Sequence, residues 1–422
     1  MEEAVAYSAL AATVSLAVAR PRFSPRFRIT PGTAGLLGVL ALLAVRLLTP
    51  SMLLDAARVQ WRPLVTLTSI MIITGVVQDV GAFDRLASHI ETRARGRSAV
   101  STFNIVFALS YLTPALLNND AAILILTPLV IALARRLYPE NPKTTLAFAF
   151  AVFLAPGVAP LFVSNPMNMI VAQYAGLDFN SYACVMAPVS VGGAAMTYLV
   201  LRGIFRGALR AHAVPAPSTR LHRHAGERAA VLVMVAVLIA YPVACSLRVE
   251  IWTVAVAGAL ASLVVYRTYR VASLRKAMSH VSVDILMFLW AMLAMVQALR
   301  AVGIVEHLSA AYATGTDGGA QQLGTIGVTS ALGSAIIDNH PMALLDMLAL
   351  DTSHGTRPLL ASLVGANIGP RLLPIGSLAG LLWIELLRRS HIEIGVSRFV
   401  RIGTAALVPT LVVSLCLLRL LG

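Results

Sequence analysis

Apolar residues fall in runs separated by short polar stretches. The runs are long enough to cross a bilayer core as helices, which takes about 17–25 residues. They predict spans at 4–19, 31–48 and 63–80 in the first part of the chain. The segment 101–137 is apolar but broken at Pro114 and at Asn118, Asn119 and Asp120. Its flanks are both basic, so it reads as a re-entrant hairpin that enters and leaves on one side. Next come a span at 145–175, interrupted around Pro156, Gly157, Pro160 and "VSNPMN" (163–168), and a span at 179–201. The later half repeats the plan. Spans are expected at 229–247, 250–266 and 281–300, a broken segment at 321–356, an interrupted span at 358–387 with "GANIGPRLLP" (365–374), and a last span at 402–421.

Composition sharpens this picture. The 422 residues are 58% hydrophobic and 12% charged, where soluble domains run about 45–50% and about 25%. Mean hydropathy is +0.80. The chain reads as an all-α polytopic membrane protein with about ten transmembrane helices and two re-entrant hairpins. The β-barrel pattern of shorter, alternating strands is not present.

The formal net charge is +14, which raises the question of nucleic acid. The basic residues sit between the apolar runs, as the positive-inside rule requires, and no nucleic-acid partner is expected. Arg85, Arg93, Arg95 and Arg97 place the loop 81–99 in the cytoplasm. Arg202, Arg206, Arg210, Arg220, Arg223 and Arg228 do the same for 202–228, the linker between halves. The second broken segment has flanks with Asp317, Asp351 and His354 and few cations, so it should enter from outside. Glu2 and Glu3 precede the first run and arginines follow it, the reverse of a secretory signal.

The halves echo each other. "VGAFDRLA" (80–87) resembles "VGIVEHLS" (302–309), and "LLNNDAAILIL" resembles "IIDNHPMALLD". Five spans and one hairpin per half is an odd number of crossings, so the halves are expected upside down to one another. Residues 1–201 form the first inverted repeat, 202–228 the linker and 229–422 the second. Secondary transporters built this way bind their solute near the midplane, where broken helices meet.

Four breaks are expected there, at 118–120, 164–168, 338–341 and 365–370. Irregular backbone at membrane depth survives only where it is buried in protein or lines a watery cavity. Asp120 and Asp338 stand out, because an Asp at a span centre costs roughly 2.5–3.5 kcal/mol on insertion scales. They read as pathway acids or as caps of the half-helices that follow. His340 is a relay, a solute ligand or a helix-start residue, and Asp346 lies on the same half-hairpin. Arg371 pairs with an acid, contacts the solute or sits at the boundary between hairpin and scaffold. Cys184, Cys245 and Cys416 have no metal-type spacing, and no Walker-type loop is present, so neither a metal site nor a cofactor nor enzymatic activity is expected.

Two runs carry a family resemblance. "LLNNDAAILILTPLVIAL" (116–133) and "GANIGPRLLPIGSLAGLLW" (365–383) resemble the arsenite-efflux permeases of arsenical-resistance operons, within a wider ion-transporter superfamily. The similarity runs from about residue 62 to residue 420. It implies export of arsenite or antimonite in exchange for protons across the inner membrane of a bacterium or archaeon. A soluble ATPase subunit and a homodimer are partners it allows. By the family pattern the binding region takes Asn118, Asn119, Asp120, Ser164, Asn165, Asn168, Asn339, Asn367, Gly369, Pro370 and Ser377. The family usually has Asn at 338, Met at 340 and Cys-Asp at 366–367. Here those positions hold Asp338, His340, Ala366 and Asn367. A carboxylate relocated from 367 to 338 would keep the charge for proton coupling.

The chemistry is consistent with that. Arsenous acid is a neutral polyol that wants amides, hydroxyls and free backbone groups. A neutral solute gains nothing from membrane potential, so uphill export needs a coupled ion. One proton entering down 100 mV supplies about 2.3 kcal/mol, roughly a 50-fold gradient at about 1.36 kcal/mol per decade. The alternative is a sodium/proton antiporter or a sodium-coupled anion transporter of the same fold.

Overall fold

The computed structural model of the chain describes residues 2–19, 21–24, 27–82, 85, 88, 92, 98–116, 119–214, 224–316, 318–350 and 355–421. In the first part these form α1 (Glu2–Ala19), α2 (Pro31–Ala44), α3 (Pro50–Asp79), α4 (Ala99–Leu116), α5 (Asn119–Leu137), α6 (Pro142–Leu154), α7 (Pro166–Tyr174) and α8 (Phe179–Ile204). The second part holds α9 (Glu227–Ser246), α10 (Ile251–Thr268), α11 (Leu274–Met278), α12 (Val283–Ala301), α13 (Ile304–Tyr312), α14 (Ala320–Ile337), α15 (Asn339–Leu350), α16 (Thr356–Ile368), α17 (Leu378–Arg389) and α18 (Val396–Leu421). A short β-ribbon pairs Arg22–Ser24 with Phe27–Arg28.

Helix starts follow local chemistry. Thr30–Pro31, Thr49–Pro50, Asn141–Pro142 and Asn165–Pro166 each put a side-chain cap directly before a proline at the first helical position. The cap satisfies an orphan amide, and proline removes another. By length and composition the helices at Trp61–Asp79, Phe179–Ile204, Glu227–Ser246, Ile251–Thr268, Leu274–Ala301 and Val396–Leu421 can each cross a membrane. The chain is a polytopic α-helical membrane protein.

Several boundaries differ from expectation. Helix α2 stops at Ala44 rather than 48, and Arg46 turns left-handed with φ 61°. Helix α3 starts thirteen residues before 63, because Thr49 and Pro50 nucleate it; its early turns are exposed and hold the Arg58–Asp55 pair. The first broken span is interrupted at 155–165, upstream of the expected 164–168, since Pro166 opens α7. At the second hairpin Asp338 alone is non-helical, and Asn339, His340 and Pro341 start α15. The last break begins at Gly369, not 365. Gly365 stays helical and serves close packing: a Cβ there would lie 2.3 Å from the Gly327 carbonyl of α14.

Packing partners recur in matched sets. Helix α1 packs on α2 and α9 on α10; α2 packs on α12 and α10 on α3; α5 packs on α6 and α15 on α16. The broken helices cross over, α7 onto α15 and α17 onto α5. Helices α8 and α18 pack on each other, as do α3 and α12. The late part of the chain is therefore sunk in the early part. Trp383 of α17 is fully buried, donates to the Ala149 carbonyl of α6 at 3.1 Å and stacks on Phe153 at 4.8 Å.

Candidate functional site

The breaks converge on one cavity. Its internal volume is about 40 Å³, room for roughly three waters or a solute of a few heavy atoms. Asn119, Ser164, Asn165, Asn339, Asn367, Pro370, Arg371 and Ser377 line it, with Tyr111 and the 156–160 stretch. Arg371 is the one charged side chain among these lining residues.

Four helices begin at this cavity. Asn119 and Asn339 open α5 and α15, while Asn165 and Ser377 cap α7 and α17. The Asn165 side chain accepts from the Met167 amide at 3.3 Å, and Ser377 Oγ accepts from the Gly380 amide at 3.0 Å. Helix N-termini carry partial positive charge. The ends of α4, α6 and α16 reach the same cavity, so positive and negative helix ends meet there.

An amide chain crosses the middle. Asn367 Nδ2 donates to Asn168 Oδ1 at 3.0 Å and to the Leu363 carbonyl at 2.7 Å. Asn168 Nδ2 donates to the Tyr182 hydroxyl at 3.0 Å, which donates to the Ala159 carbonyl at 3.2 Å. Asn165 Nδ2 reaches Asn367 Oδ1 at 3.5 Å, and Ser164 Oγ donates to the Ala115 carbonyl at 2.8 Å. This chain ties α6's broken continuation to α16 and to the first hairpin.

Two atoms stand apart from it. The side-chain oxygens of Asn119 and Asn339 are buried and, among the described residues, accept no hydrogen bond. An unmet buried acceptor costs about 1–3 kcal/mol. They occupy corresponding positions in the two hairpins.

Arg371 is buried, and among the described residues no carboxylate lies in ion-pair reach of it. Its guanidinium donates to the Leu154 carbonyl at 2.5 Å and to Thr197 Oγ1 at 3.1 Å. Leu154 is the last residue of α6, so the cation occupies the negative end of that half-helix. Gly157 leaves the room: a Cβ there would meet Nη2 at 2.6 Å.

Other expected residues lie off the cavity lining. Asn168 acts through Asn367. Gly369 packs against α14, where a Cβ would lie 2.3 Å from the Ala331 carbonyl. Asp338 has φ +78° and accepts from the His340 amide at 3.0 Å and faces His340 Nδ1 at 3.1 Å, so it caps α15. Neither Asp338 nor His340 lines the cavity. Asn118 lies outside the described residues, as do the Asp120 side chain, the basic run 93–97 and 215–223 of the linker. Among the described residues no three His, Cys, Asp or Glu side chains gather as a metal site. Tyr182 and Tyr111 were not singled out from sequence. The available signal was a phenol inside an apolar span, whose hydroxyl needs a partner when buried.

Comparison with known proteins gives a family. The one described as CitMHS, citrate transporter, matches residues 16–363. An arsenical pump membrane protein of Escherichia coli K12 is 30% identical over 402 residues, 92% of this chain and 93% of that one. Another from Escherichia coli is 31% identical over 373 residues, 85% of this chain and 86% of that one. The crystal structure of the Alcanivorax borkumensis YdaH transporter superposes with TM-score 0.57 at 14% identity, over 99% of this chain and 96% of that one. That likeness concerns the fold.

Proposed function

The chain belongs to the citrate-transporter family and is a membrane transporter of the arsenical-pump type, and from that premise we propose that it exports arsenite or antimonite in exchange for protons. The observation that carries this reading is a pair of unpartnered amide oxygens, on Asn119 and Asn339, two residues that line a small cavity whose other polar side chains are neutral apart from Arg371. A trihydroxy solute brings O–H donors to those acceptors. Its own oxygens accept from amide N–H groups and helix N-termini.

Size and charge separate this from the alternatives. A cavity of about 40 Å³ suits a solute of a few heavy atoms better than a tricarboxylate. Arg371, the one charged side chain on the cavity lining, disfavours a bare cation such as Na⁺. A sodium-coupled anion transporter remains the second reading, favoured by Arg371 on the cavity wall.

The coupling residues in this proposal are Asp120, Asp338, His340 and Arg371. The Asp338–His340 pair sits at a hairpin tip, one residue from Asn339, so a change in its protonation acts on the amide beside it. The matched packing sets support two inverted repeats, 1–201 and 229–422, with hairpins of opposite entry and alternating access around the cavity. An inner-membrane location in a bacterium or archaeon, a soluble ATPase subunit and a homodimer belong to the same reading.

The test is arsenite uptake into everted membrane vesicles under an imposed pH gradient, with and without Na⁺. Uptake should follow the proton gradient and ignore Na⁺. Asp338→Asn should keep the helix cap, since Asn caps as well as Asp, and lose proton-driven uptake. Sodium-driven movement of protons or of an anion, without arsenite flux, would instead select the alternative.

A further inference from the structure

Among the buried acids off the cavity lining, Asp346 of α15 has no exposed surface. It lies seven residues after Asn339, which is two helical turns on the same face and about 10 Å along the axis. The Tyr312 hydroxyl at the end of α13 donates to Oδ1. Oδ2 completes no hydrogen bond. The Ser330 hydroxyl of α14 is near enough to act on its charge without closing one.

Among the described residues no cation is paired with it. The elements packed against α15 are α7, α12, α13, α14 and α16. Helices α7 and α14 carry no charged residue. Arg300 of α12, Glu306 and His307 of α13 and Arg357 of α16 are exposed, and Asp284, in the first turn of α12, accepts from the Gly32 amide at 2.9 Å. His340 at the start of α15 is engaged with Asp338. Tyr312 is the one ionisable group bonded to Asp346 among the described residues. A carboxylate buried without a partner charge costs several kcal/mol, and the neutral acid escapes that cost.

Resting on the exchange reading above, we propose that Asp346 is the residue that takes up the counter-transported proton from the outer face and passes it toward the tip of the second hairpin. The hairpin enters from outside in that reading, so Asp346, four residues from the end of α15, lies between the outer surface and Asn339. The polar neighbours on that outer side are Tyr312 and Gln322, whose Nε2 donates to the Tyr312 carbonyl at 3.3 Å. An O–H bond forms at Oδ2 on loading from outer water and breaks on release inward; no electron moves. Tyr312 is a positioning residue that holds Oδ1 and leaves Oδ2 free.

Asp346→Asn keeps an oxygen for the Tyr312 hydroxyl. In everted vesicles the outer face is the lumen. The variant should lose uptake driven by an acid lumen by about tenfold or more, while arsenite–arsenite exchange without a pH gradient stays near wild type. Tyr312→Phe should shift the lumen pH of half-maximal uptake. Wild-type rate and pH profile in Asp346→Asn would overturn the assignment. Absence of arsenite flux in the wild type would instead sink the export reading. Should Asp346→Asn not accumulate, infrared spectroscopy of the purified wild type and Tyr312→Phe decides. A protonated-carboxyl band at neutral pH that moves when the phenol is removed supports the proposal, and no such band overturns it.

Discussion

Asn119 and Asn339 show how little a single polar atom has to do in the fold to matter for binding. Their side-chain oxygens make no bond among the described residues, so removing them leaves nothing behind unpaired. Asn119→Leu and Asn339→Leu are each expected to unfold in detergent at or above the wild-type temperature, yet to bind arsenite about tenfold more weakly, the worth of one lost hydrogen bond of about 1.4 kcal/mol. Thermal melts beside equilibrium binding on the same preparation separate the two effects. Asp178 is the opposite case, an exposed acid whose main partner is local. It caps α8, and the Ser181 amide that donates to it at 2.7 Å holds its carboxyl below the usual carboxylate range. A lowered folded-state pKa means the cap contributes above the ordinary Asp range. That contribution fades as pH falls through the lowered value. Acidifying the wild type should therefore lose a stability increment that Asp178→Asn, whose amide does not titrate, keeps across the same range of melts.

At the scale of elements, the hairpin α14–α15 and the broken helix α16–α17 are locked by backbone contact. Gly365 and Gly369 sit against carbonyls of α14 with no room for a methyl group. Gly365→Ala is expected to push α14 from α16, costing about 1–3 kcal/mol through overpacking and abolishing transport. Gly324→Ala, on the same α14 with nothing within 4 Å of the added carbon, should be neutral or stabilising by about 0.5–1 kcal/mol. Reversed outcomes in paired melts and uptake assays would contradict the packing described. The cap–proline pairs that start α2, α3, α6 and α7 stand in the sequence, yet hydropathy alone put the start of the α3 span at 63 instead of Pro50. Where α16 ends was not legible, because a glycine in a broken-looking run can serve close packing as well as a turn.

Over the whole molecule, each half buries its faces on the other: α8 on α18, α3 on α12, α17 on α5 and α7 on α15. Residues 1–214 or 224–422 expressed alone should fail to accumulate in membranes, and the two expressed together should accumulate and restore uptake; immunoblots of membrane fractions test this. The sequence by itself determined the membrane class, the order of apolar segments, the polar breaks and the family resemblance. These depend on composition, periodicity and local caps, which act over a few residues. It also singled out Asn119, Ser164, Asn165, Asn339, Asn367, Pro370, Arg371 and Ser377, which line one cavity. Only the tertiary structure decided which polar groups are already spent. Asp338 turned inward to His340 and its own helix, and Arg371 took the carbonyl end of α6. Asn168 was drawn to Asn367 and Tyr182, Asn119 and Asn339 were left open, and Asp346 met Tyr312 away from the cavity. Hydrogen-bond partners at the cavity come from segments as far apart as 217 residues, in Leu154 and Arg371, and no local pattern encodes which donor reaches which acceptor.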